Sequence, residues 1–76
     1  MTMHATIRAV NLPDIIHLLM ERYRWTEEEA LDKFYLSATG ANFADDDTGL
    51  YGQSALYISG LFTEEAESRK TFPVLV

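Results

Sequence analysis

The stretch Trp25-Thr26-Glu27-Glu28-Glu29-Ala30-Leu31-Asp32-Lys33-Phe34-Tyr35-Leu36 decides the fold class. Thr26 followed three residues later by Glu29 is a capping box. The Thr26 hydroxyl accepts the Glu29 backbone N–H, and the Glu29 carboxylate accepts that of Thr26. Three glutamates in the opening turn also suit the positive end of a helix dipole. Ala30, Leu31, Phe34, Tyr35 and Ala38 then form an apolar stripe at helical spacing, while Glu28, Asp32 and Lys33 face away. Gly40 reads as the stop, since glycine takes the left-handed conformation that ends many helices.

Outward from this helix the signals weaken. Residues 13–24 predict a first helix. Pro13 suits a first helical position, where its missing N–H has no intrahelical partner to lose. Leu12, Ile15, Ile16, Leu19, Met20 and Tyr23 share its apolar stripe. Upstream, residues 1–11 read as an arm, with Ile7-Arg8-Ala9-Val10 a candidate short strand. Downstream, residues 41–52 read as a connection around Asp45-Asp46-Asp47-Thr48-Gly49, which is turn chemistry. A third helix is expected from Gln53 or Ser54 to about residue 65, with Ala55, Tyr57, Ile58, Leu61 and Phe62 on one face. Gly60 inside it costs about 1 kcal/mol against alanine unless another helix packs close there. Residues 66–76 read as a tail, polar at Glu67-Ser68-Arg69-Lys70, then apolar and extended because Pro73 disfavours helix at Phe72. The expected fold is mainly α. It is a three-helix bundle in one small domain over residues 1–76, with an N-terminal arm 1–11, a C-terminal tail 66–76 and short strands as an option at both ends.

Composition narrows the functional classes. A chain of 76 residues with 47% hydrophobic content is an ordinary small globular domain. It has no cysteine, hence no disulfide and no thiolate metal site. Twelve acidic residues against six basic ones give a net charge of −6. That balance argues against non-specific binding to nucleic acid or anionic lipid. No run approaches the roughly 20 apolar residues of a membrane span, and residues 1–10 lack the apolar core of a secretory signal. A cytoplasmic location is the expectation.

Candidate chemistry is sparse. Asp45, Asp46 and Asp47 do not continue as a calcium loop, because the sixth and twelfth positions counted from Asp45 are Leu50 and Leu56. Asp14, His17 and Glu21 share a helix face, but no zinc-type motif accompanies them. Ser54 reads as a helix cap, there being no nucleophile elbow and no phosphate-binding glycine loop. The expectation is a protein without catalytic residues, metal or cofactor. Two helices flanking Trp25 also suggest a small helix-turn-helix DNA-binding regulator. Against it, the second helix opens on Glu27, Glu28 and Glu29, with only Arg22 and Arg24 as a nearby basic pair.

What remains is apolar surface. Trp25, Leu36 and Leu56 project away from the predicted stripes, and Phe72, Val74, Leu75 and Val76 add to them. These residues are the candidate partner-binding set, the partner being another protein or a second copy in a homodimer. The tail has two further options: folding onto its own helices, or pairing Pro73-Val74-Leu75-Val76 with Ile7-Arg8-Ala9-Val10 as strands within one chain or between two.

At Glu28-Glu29-Ala30-Leu31, Phe34-Tyr35, Ser37 and Thr39, at Asp47-Thr48-Gly49-Leu50-Tyr51-Gly52-Gln53-Ser54, and at Asp14 to Leu19, the chain resembles a small bacterial family of helical proteins of unassigned function. The resemblance spans roughly residues 13–65. Some members of that family sit beside toxin-like genes. The resemblance therefore implies an antitoxin-, adaptor- or immunity-type role, with a basic toxin-like protein as partner, and it names no catalytic residue.

Overall fold

A computed structural model describes residues 3–71, with side chains through residue 68. Among the described residues there are four α-helices and no strand: α1 (Met3–Tyr23), α2 (Glu27–Leu36), α3 (Ala38–Ala44) and α4 (Ala55–Thr71). Two 3-10 turns, Asp46–Thr48 and Leu50–Gly52, join α3 to α4. The mainly α expectation holds, and the helix count and several boundaries differ from it.

The capping box is present. The Thr26 hydroxyl accepts the Glu29 N–H at 3.2 Å, and Glu29 accepts the Thr26 N–H at 2.9 Å. Ala30 and Phe34 of α2 are fully buried. They meet Ile15, Ile16 and Leu19 of α1, Phe43 of α3, and Ile58 and Phe62 of α4 in one core. Phe34 is its hub, with ring centroids 5.5 Å from Phe43 and 6.3 Å from Phe62.

Three expectations are corrected. First, residues 3–11 are helix, neither arm nor strand, and Pro13 lies inside α1. A proline there leaves the Ala9 carbonyl without its intrahelical donor. None of residues 3–11 is buried. Polar contacts with the 3-10 segment hold this half of the helix instead. Arg8 and His4 both reach Asp46. The His4 ring lies 5.0 Å from that of Tyr51. Asn11 donates to the Tyr51 and Gln53 carbonyls at 3.2 and 2.6 Å.

Second, Gly40 does not end α2. The helix stops at Leu36, because Ser37 is extended (φ −86, ψ 162) and serves as C-cap of α2 and N-cap of α3. Its hydroxyl donates to the Phe34 carbonyl at 2.6 Å and accepts the Gly40 N–H at 2.9 Å. Gly40 is buried within α3, pressed against the Phe34 backbone. The glycine with positive φ is Gly49 (φ 70), between the two 3-10 turns.

Third, the last helix runs on to Thr71, so residues 66–71 are not tail. The longer helix carries Glu65 to the start of α3. There its carboxylate accepts the Ala38 and Thr39 N–H groups at 2.9 Å each and the Thr39 hydroxyl at 2.8 Å. Those N–H groups have no intrahelical acceptor, so Glu65 caps α3 from another element.

Candidate interaction site

The candidate residues divide between two places. Trp25 and Leu36 come together. Trp25 follows Arg24, which turns the chain out of α1 with a left-handed backbone (φ 59). Its ring stacks on Tyr23 at 4.4 Å and meets the edge of Phe62 at 6.0 Å. Trp25 therefore packs against the core and does not project freely, which corrects the expectation for it. Leu36, the last residue of α2, is 83% exposed. Between α2 and α4 lies a groove of about 360 Å³ lined by Trp25, Lys33, Leu36, Phe62, Glu65 and Ala66. Its floor is aromatic and its banks carry one charge of each sign. The Lys33 ammonium sits 5.9 Å from the Trp25 ring centroid, within cation–π range.

Leu56 lies elsewhere. It is 72% exposed and lines a separate hollow with Leu18, Arg22, Ser59, Gly60 and Thr63. Phe72, Val74, Leu75 and Val76, together with the strand pairing suggested for the tail, lie outside the described residues. Sequence reading also missed two exposed apolar residues on the arm that proved helical. Met3 is 75% and Val10 69% exposed. The signal was their seven-residue spacing, which places them on one side of a helix.

The polar candidates are occupied structurally or stand apart. Asp45 accepts the Asp47 N–H at 3.0 Å. Asp46 faces Arg8 and His4; the Arg8 hydrogen bond, then that of His4, hold its carboxyl below the ordinary range. His17 and Glu21 form an exposed pair at 3.4 Å on α1. No group of three or more His, Asp or Glu able to hold a metal ion occurs among the described residues. Ser54 caps α4, its hydroxyl accepting the Tyr57 N–H at 3.1 Å. Glu27, Glu28 and Glu29 are exposed at the start of α2, and Arg22 is paired with Glu67 at 3.1 Å. No helix among the described residues is long and apolar enough to cross a membrane.

Comparison with protein-family models, with curated proteins and with solved structures found no match.

Proposed function

We propose that this chain is a non-enzymatic protein-interaction module, antitoxin- or adaptor-like and cytoplasmic, that holds a partner at the groove between α2 and α4. The observation that carries this is Leu36. An 83% exposed leucine stands beside a hollow floored by Trp25 and Phe62. An apolar, aromatic-lined hollow edged by polar groups, here Lys33 and Glu65, is the usual anatomy of an interface anchor point. Net charge −6 favours a basic partner by electrostatic steering. The helix-turn-helix alternative has no comparable geometric support, since its second helix would offer three exposed glutamates to phosphate.

The test is affinity capture with the tagged full chain, wild type against Leu36→Asp, with nuclease present. The reading expects one stoichiometric protein retained by the wild type and lost with Leu36→Asp. Reversing the charge of Glu28 and Asp32 should slow that association at low salt. Retention unaffected by Leu36→Asp removes the groove from the reading, and recovery of nucleic acid alone favours the regulator.

A further inference from the structure

We infer that residues 3–11 of α1 and the two 3-10 turns form one cooperative unit, which opens at Pro13 as a hinged cover over Tyr51 while the core stays folded. The hinge follows from covalent structure. Pro13 has no N–H, so the Ala9 carbonyl lacks its intrahelical donor and α1 is weakened near its middle. On one side of that point Ile15, Ile16 and Leu19 are buried. On the other, none of residues 3–11 is buried. Asp46 is the latch: its carboxylate takes Arg8 on one oxygen and His4, at 3.4 Å, on the other. Tyr51 lies beneath the cover, its ring centroid 5.0 Å from that of His4 and 5.5 Å from the Arg8 guanidinium carbon. Asn11 closes the seam by donating to both the Tyr51 and the Gln53 carbonyl. All these contacts run between the cover and the turns, so the two segments keep or lose them together. The turns have little else to hold them. Their own bonds are 3-10 bonds of 3.0–3.3 Å, with poorer geometry than α-helical ones, and Leu50 and Tyr51 are only half-buried at the edge of the core. Exposed ion pairs and single hydrogen bonds hold less than buried apolar side chains do, so this unit opens at a lower free energy than the core.

The experiment is native-state hydrogen exchange of the full chain, read amide by amide by NMR. The first four amides of a helix have no intrahelical acceptor, so residues 7–11 report on the cover. The amides of Thr48, Gly49, Gly52 and Gln53, each bonded within the turns, report on the rest of the unit. Expected is one common protection level across both sets, about tenfold or more below that of Leu19 and Phe34 in the core. Asp46→Asn should quicken both sets by the same factor, about two- to fivefold. Gly60→Ala is the control. Nothing lies within 4 Å of the added Cβ, so it stabilises α4 and slows Leu19 and Phe34 about two- to fivefold, leaving cover and turns unchanged. Three results overturn the inference. Protection that declines steadily from residue 11 to residue 7 is fraying of a helix end. Different factors for the two sets in Asp46→Asn mean that they open separately. Slowing of the cover by Gly60→Ala means that it opens only when the whole chain unfolds.

Discussion

Gly40 and Gly60 should respond to alanine with opposite signs. Both lie in helices, where glycine costs about 1 kcal/mol relative to alanine, so propensity alone makes each substitution stabilising. At position 40 packing reverses that. A Cβ there would stand 1.8 Å from the Phe34 carbonyl oxygen, 2.7 Å from its carbon and 3.1 Å from the Tyr35 Cα. These are backbone atoms in the turn that Ser37 closes, and Phe34 is fully buried, so neither side gives way cheaply. Overpacking typically costs 1–3 kcal/mol and sometimes more, and a backbone clash this close belongs at about 3 kcal/mol or above. A domain of this size has a total stability of only about 4–11 kcal/mol. The loss corresponds to a fall in Tm of roughly 12–24 °C. At position 60 nothing lies within 4 Å of the added Cβ, so Gly60→Ala should gain about 0.5–1 kcal/mol and raise Tm by a few degrees. Thermal melts and urea titrations of both variants against wild type decide the matter. A neutral or stabilising Gly40→Ala would refute the close approach of α3 to the end of α2.

Glu65→Ala removes the acceptor for two backbone N–H groups and one hydroxyl, partly exposed to water, and should cost about 1–2 kcal/mol. Amide exchange at Ala38 and Thr39 should quicken, and Glu65→Gln should fall between, since its amide turns one acceptor into a donor. Pro13→Ala restores a donor for the Ala9 carbonyl at an exposed position and should stabilise by about 1–2 kcal/mol, read as a higher urea midpoint. The Asp46 contacts carry an acid limit. Its carboxyl is held below the ordinary 3.8 by Arg8 first and His4 second, so its stabilisation is complete above that value and is lost as pH falls through the lower folded one. Asp46→Asn should be less stable than wild type at neutral pH, and the gap should close below about pH 3.8. A gap that persists in strong acid would mean the ion pairs do not hold α1 to the turn.

How much of this was legible in the sequence depends on the range of the forces. The capping box and the stripe through Ala30 and Phe34 act within one helix, and pattern alone places them. The N-terminal half of α1 leaves little pattern because none of residues 3–11 is fully buried, Ala5, Ile7, Arg8 and Asn11 being only half-buried. Its anchors are Asp46, Tyr51 and Gln53, 38 to 42 residues away, and no local rule reports them. The break at Ser37 is also hidden from pattern, because the apolar stripe runs through to Ala38 and the residue three on is glycine, not the glutamate of a capping box. At the candidate site, the exposure of Leu36 and Leu56 follows from helical phase alone. The packing of Trp25 does not, since it depends on Arg24 adopting a positive φ that no local preference favours.

Exposure by itself does not make Leu36 a functional residue. A chain of 76 residues that is 47% hydrophobic cannot enclose all its apolar side chains, and Met3 and Val10 are nearly as exposed. Surface leucines are an expected consequence of small size. What sets Leu36 apart is its position beside unfilled aromatic surface. Trp25 stacks on Tyr23, lies nearly perpendicular to Phe62, and lines the groove together with Leu36. Val10 borders a hollow whose other wall is Gly52, Gln53 and Ser54, with no aromatic surface to bury. Truncating Val10 should therefore leave both stability and association nearly unchanged. Truncating Leu36 should leave stability unchanged and association impaired, and that separation is the mark of a binding residue.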